Sequence, residues 1–110
     1  MRNLNTKDTL KALAIFKKVG YQDFLKKLVK ITDQDEQGTF LVGTILDTLA
    51  DNETQESLFN FLSGPYEMTP QEVGNLPLDK QIEMIKELIN SEENKKVIKT
   101  FTSALGSLMR

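Results

Sequence analysis

The segment from Met68 to Ile89 constrains the fold of this chain more than any other part of its sequence. Thr69 can cap a helix, Pro70 suits the first helical position because its missing N–H costs nothing there, and Glu72 stands three residues after the cap. Pro77 disfavours helical geometry at the residue before it. The segment therefore predicts a short helix, a corner and a long helix. The apolar face of the long helix carries Leu78, Ile82, Ile85 and Ile89.

Apolar residues recur at helical spacing through the rest of the chain, and capping residues, Gly or Pro separate the segments. This pattern predicts helices over about 5–19, 21–31, 39–50, 53–63 and 78–90, a short helix after Pro70, and a last helix capped by Ser91. Residues 32–38 are predicted to form a polar loop. No window alternates with the period of two that a strand needs. The sequence therefore predicts an all-α fold, a compact single-domain bundle of about six or seven short helices over residues 1–110.

The apolar positions also predict which helix faces are buried. The third helix is apolar around much of its circumference, which places it at the centre of the core. The first helix is expected to bury Leu10, Leu13 and Phe16, and the last helix Val97, Phe101, Leu105 and Leu108.

Composition excludes most reaction chemistry. The chain has 110 residues, 39% of them apolar, which is enough for one core but leaves little room for a second domain. It contains no His and no Cys, so it offers no imidazole base or ligand, no thiolate and no disulfide. We expect no catalytic residue, no cofactor and no metal site, and hence a protein that is not an enzyme.

Two groups of acidic residues resemble metal or catalytic sites but are better explained as solvated surface residues. Residues 33–38 begin like a calcium-binding loop, yet Thr44 stands at the twelfth position, where a bidentate Glu is required. Glu83 and Glu87 share one helix face, but Lys80 and Lys86 lie beside them and no residues nearby shape a cleft. The sequence predicts solvated carboxylates in both places.

Charge is distributed unevenly along the chain. Residues 1–30 carry a net charge of +6, residues 31–94 of −12 and residues 95–110 of +4. Lysines on the first two helices could contact phosphates, but they are spread over both helices and lack accompanying Arg, so nucleic-acid binding is not favoured. The start of the chain is polar and no apolar run is long enough for a membrane. We expect a soluble, cytoplasmic protein.

The last helix offers the one candidate protein-binding surface. Its apolar residues could form core or dock into a partner, and its other face is nearly uncharged, so both faces could be covered. The candidate partner-binding residues are Phe101, Leu105, Leu108 and Met109.

The chain resembles the tail assembly chaperones of long-tailed, siphovirus-type phages and prophages of Gram-positive bacteria. The similarity is one of pattern and element order and covers nearly all of the chain. Family members end in an acid-rich stretch before an aromatic pair, whereas this chain has Lys95, Lys96 and only Phe101. The matching stretches are Asn5-Thr6-Lys7-Asp8, Phe40 to Leu49, Leu58-Phe59-Asn60-Phe61-Leu62, Met68-Thr69-Pro70-Gln71-Glu72-Val73, Leu76-Pro77-Leu78-Asp79 and Ile82 to Ile89.

The resemblance implies a helical, non-enzymatic chaperone that binds the phage tape measure protein and keeps it soluble in the host cytoplasm during tail assembly. Such proteins are absent from the mature virion. They often occur with a frameshifted longer form, and several copies, a homo-oligomer among the possibilities, can act along one client. The alternative that the residues leave open is a helical adaptor or a DNA-binding regulator of phage or bacterial origin.

Overall fold

The computed structural model describes residues 2–17 and 19–108, with the backbone alone for residues 105, 106 and 108. Within these residues the chain forms seven helices and no strand. The predicted all-α bundle is therefore confirmed. The helices are α1 (Thr6–Ile15), α2 (Tyr21–Lys30), α3 (Gln34–Thr48), α4 (Asn52–Ser63), α5 (Pro70–Gly74), α6 (Leu78–Asn90) and α7 (Glu92–Leu108).

Four of the helices begin at a side chain that caps them. Each capping oxygen accepts a hydrogen bond from the backbone N–H three residues later, which satisfies one of the free donors at the helix start. At α1 and α5 the third residue, Asp8 or Glu72, accepts a bond from the backbone of the capping residue in return. Local chemistry therefore sets where these helices start. The capping residues are Asn5, Asp33, Asp51 and Thr69.

Side-chain amides tie corners of the bundle: Gln81 at the start of α6 donates to the carbonyl of Val73 at 2.9 Å, and three other amides share one spacing. In each of these three, an amide in the first turn of one helix donates to a carbonyl six residues earlier, at or near the end of the preceding helix. Carbonyls at a helix end have no N–H partner within the helix, so the amide supplies one. The pairs are Gln37 with Ile31 at 2.7 Å, Gln55 with Leu49 at 2.8 Å and Asn94 with Leu88 at 2.9 Å.

The helices pack around one apolar core. α1 lies against α4, α4 against α5, α2 against α7, and α6 against both α3 and α7. α7 therefore packs against α2, α3 and α6. The most completely buried apolar side chains are those of Leu58, Leu62, Val73 and Leu88.

Two helix boundaries differ from the prediction. α1 ends at Ile15 rather than near residue 19, because the N–H of Phe16 bonds to Leu13, three residues back, and the chain tightens into turns. α3 begins at Gln34 because Asp33 caps it, so most of the predicted polar loop is the first turn of a helix.

Several apolar residues predicted to be buried are exposed. Leu10 is 57% exposed because α1 turns Asp8 and Ile15 inward. Leu78 is 56% exposed at the start of α6. α3 is not surrounded by protein as predicted: it packs on α6 and α7 and contacts α2 through Phe40, but Leu46 is 41% exposed.

Two glycines on α3 should respond oppositely to replacement by alanine. At Gly38 a Cβ would lie 2.8 Å from Cγ2 of Ile89, whereas at Gly43 it would meet no atom within 4 Å. We expect Gly43→Ala to stabilise the protein by about 0.5–1 kcal/mol through helix propensity. Gly38→Ala gains the same propensity but forces α3 away from α6, with a net destabilisation of about 1–2 kcal/mol. Urea unfolding of the two variants checks this, and a stabilised Gly38→Ala would contradict the close α3–α6 contact.

Candidate protein-binding groove

A groove of about 540 Å³ runs between α7 and the segment that leads into α1. Its apolar lining comes from Leu4 on one side and from Val97, Phe101 and Ala104 on the other. Leu4, Val97 and Phe101 are half-buried, and Ala104 is exposed. The three α7 residues recur at helical spacing, so they form one continuous stripe along the groove. Polar lining is provided by Asn5, Thr6, Thr9, Thr100, Glu93 and Lys96.

Asn94 positions the N-terminal side of this groove. Its side chain is completely buried, which is unusual for an amide, and both of its polar atoms are bonded. Oδ1 accepts from the backbone N–H of Leu4 at 2.9 Å, while Nδ2 donates to the carbonyl of Leu88 at 2.9 Å. One side chain therefore joins the N-terminal segment to the end of α6 and the start of α7.

A second anchor holds the same segment through charge. The guanidinium of Arg2 donates to both carboxylate oxygens of Asp8, at 2.5 and 3.0 Å, and the backbone N–H of Asn5 donates to Asp8 Oδ2 at 3.0 Å. Burial favours a higher pKa for Asp8, but the hydrogen bonds from Arg2 and Asn5 outweigh it and hold the pKa below its usual range. Asp8 thus stays charged and fixes the start of α1.

Gly64 makes room for this ion pair. A Cβ there would lie 2.8 Å from Asp8 Oδ1 and 2.9 Å from Nη2 of Arg2. The backbone N–H of Arg2 also donates to the carbonyl of Pro65 at 2.9 Å. The sequence suggests Gly64 only as a helix terminator, whereas the structure shows that its small size admits the N-terminal segment against α4.

The structure places one of the four predicted binding residues in the groove. Phe101 lines it together with Val97, so the apolar stripe predicted on α7 is partly accessible rather than fully buried. The backbones of Leu105 and Leu108 continue α7, but their side chains lie outside the described residues. Met109 also lies outside the described residues.

The inward face of α7 differs from the prediction. The deepest side chains among its described residues are Asn94 and Thr102, which are polar, whereas Val97 and Phe101 are half-buried. Periodicity treats polar residues as outward-facing, so it could not find them. The available signal was that Asn94 and Thr102 stand four residues before and after Ile98, which packs on the core.

The acidic patterns are surface features, as the sequence predicts. Residues 34–38 are helical and so cannot wrap a calcium ion as an EF-hand loop does. Glu83 and Glu87 are exposed, and Glu87 accepts a hydrogen bond from the hydroxyl of Tyr66 at 2.9 Å. Among the described residues, no three potential metal-ligating side chains lie together. No helix in the same residues is long and apolar enough to cross a membrane.

A scan of protein-family models and searches of curated proteins and solved structures find no match to this chain.

Proposed function

We propose that this protein is a non-enzymatic tail assembly chaperone that binds a phage tape measure protein in the host cytoplasm and keeps it soluble until the tail is built. The observation that carries the proposal is the groove between α7 and the N-terminal segment, with Val97 and Phe101 only half-buried. The resemblance of the sequence to tail assembly chaperones is what suggests the client.

The shape of the groove suits an amphipathic helix of the client. Its lining residues on α7 run from Glu93 to Ala104, which is about 16 Å at 1.5 Å per residue, or three helical turns. An apolar stripe of that length matches a client helix that presents residues at i, i+3 or i+4, and i+7. Glu93 and Lys96 carry opposite charges on the groove lining and can orient such a helix.

A tape measure protein is long, helical and partly apolar, and it would self-associate if its apolar faces stayed exposed. A chaperone for it needs a surface that covers apolar stripes one after another. Several copies, each binding one helical segment, would do this along the length of the client. Catalytic groups are not required for this task.

Co-expression with the tape measure protein encoded by the same genome tests the proposal. Size-exclusion chromatography with light scattering then gives client solubility and the mass of the complex. We expect a soluble complex that contains several copies of this chain per client. An insoluble client beside free chain would overturn the proposal.

Substitutions in the groove test the site itself. Phe101→Asp should weaken client binding by about 10-fold to 100-fold, because burial of a phenylalanine contributes about 1.5–3 kcal/mol. Ala104→Arg places a long charged side chain into the groove from an exposed position, so it should block binding while the melting temperature stays near the wild-type value.

Leu10→Asp is the matched control, because Leu10 is exposed and does not line the groove. Its binding should equal that of the wild type. If Phe101→Asp and Ala104→Arg both bind like Leu10→Asp while remaining folded by circular dichroism, the client does not use this groove.

A further inference from the structure

A second, polar cleft of about 650 Å³ lies between the end of α2, the start of α3 and α7. Three exposed lysines line it: Lys26, Lys30 and Lys99. No carboxylate among the described residues lines the cleft, although the chain as a whole has a net charge of −2. A local excess of three positive charges in an acidic protein indicates a site for an anion.

Like several other lysines of the chain, these three form no ion pair among the described residues. Lys80, Lys95 and Lys96 each lie within 4.0 Å of a carboxylate. Hydroxyl groups that can also donate to an anion come from Thr32, Ser103 and Ser107 in the same lining.

Two buried polar atoms in the same place lack partners. Among the described residues, Gln37 Oε1 and Thr102 Oγ1 are the buried side-chain atoms without a hydrogen bond, and both residues line this cleft. Gln37 and Thr102 are only 4% and 5% exposed. Gln37 already uses its Nε2 to bond Ile31, so its free atom is an acceptor that needs a donor. Leaving such groups unpaired destabilises a fold, so their presence points to a missing partner.

We propose that this cleft binds a small phosphate ester that also carries hydroxyl groups. The phosphate, with a charge near −2, would lie among the lysines and the exposed hydroxyls. A hydroxyl of the ligand would donate to Gln37 Oε1, and Thr102 Oγ1 would bond a second polar atom. The volume is that of a small-molecule site, and both residues with unpaired atoms line the cleft. A nucleic-acid backbone would remain at the rim and leave them unpaired.

Titration with three probes followed by NMR tests the site, and it is independent of the groove proposed for the client. Ribose 5-phosphate should bind with a Kd below about 1 mM, inorganic phosphate about 10-fold more weakly, and ribose without measurable saturation. Binding of ribose 5-phosphate should weaken as salt is raised. No saturation with ribose 5-phosphate, or equal affinity for inorganic phosphate, overturns the proposal. A DNA duplex or an acidic peptide that binds more tightly at the same lysines also overturns it.

Lysine substitutions distinguish binding in the cleft from non-specific attraction to positive charge. Lys30→Gln and Lys99→Gln should each weaken ribose 5-phosphate binding about 5-fold to 10-fold, because each removes one charge from the phosphate site. Lys7→Gln, at an exposed lysine of α1 outside the cleft, should leave it unchanged. Equal effects of all three substitutions would show non-specific attraction and count against the site.

Thr102→Val distinguishes a binding role from a packing role. Valine has the shape of threonine without the hydroxyl, so the melting temperature of the free protein should rise when an unpaired buried hydroxyl is removed. Ribose 5-phosphate should bind the same variant about 5-fold more weakly. A variant that is more stable yet binds like the wild type would show that Thr102 faces no ligand.

Discussion

Phe24→Ala is expected to lower the free energy of unfolding by about 3–5 kcal/mol. Phe24 is 2% exposed and lies between two other rings. Its ring centroid is 4.0 Å from that of Phe16, with 11° between the planes, and 5.7 Å from that of Phe40, with 17°. The stack joins the end of α1, the middle of α2 and the first half of α3. Truncation therefore removes buried apolar area and leaves a cavity where three helices meet.

The loss is large compared with the stability of a domain of this size, which is about 5–15 kcal/mol. Urea unfolding followed by circular dichroism measures it, and the melting temperature should fall by about 15 °C. Phe24→Leu should lower the free energy of unfolding by only about 1–1.5 kcal/mol. Leucine keeps most of the side-chain volume, so chiefly the ring stacking is lost.

Tyr21→Ala is the control on the same helix. Tyr21 is 42% exposed, so its truncation should change the free energy of unfolding by about 0.5 kcal/mol or less. A similar cost for Phe24→Ala and Tyr21→Ala would mean that α2 does not dock on the core as described.

The helix starts could be predicted from sequence because they depend on neighbours along the chain. Thr69 and Glu72 form the capping box that the sequence predicts, with Pro70 at the start of the helix. Asp33 shows the limit of this approach, because the acidic residues after it suggested a loop or a decoy metal site. They are the first turn of α3, where carboxylates are favourable near the positive end of the helix.

The buried faces were harder to predict because they depend on which helices meet. Leu10 fits the apolar stripe of α1, yet α1 is held against α4 through the Arg2–Asp8 pair and turns a different face inward. The buried amides of Gln37 and Asn94 were hard to predict for the same reason. Each serves the end of another helix, and a pattern that scores hydrophobicity alone assigns such residues to the surface.

The candidate groove was predictable on one side only. Phe101 was identified from the apolar stripe of the last helix. The opposite side comes from Leu4, which reaches α7 through a hydrogen bond spanning 90 residues of sequence. No local pattern encodes a contact of that range, so only the structure could bring the two sides together.

Asn94→Ala is expected to lower the free energy of unfolding by about 2–4 kcal/mol, because each buried polar group left without a partner costs about 1–3 kcal/mol. The substitution leaves the N–H of Leu4 and the carbonyl of Leu88 unpaired. Asn60→Ala on α4 is the control: Asn60 is exposed, and the change should be neutral or slightly stabilising. Chemical unfolding of both variants measures the difference.

The same substitution should also weaken client binding under conditions where the variant is still folded. Asn94 does not line the groove, but it holds Leu4 in place as one side of it. Release of that segment widens the groove and adds an ordering cost to binding. Asn94→Ala should therefore reduce client affinity, while Asn60→Ala should not. Phe101→Asp should lower client affinity by a smaller factor in the Asn94→Ala background than in the wild type. Fully additive losses would mean that Leu4 and Phe101 do not contact the same client segment.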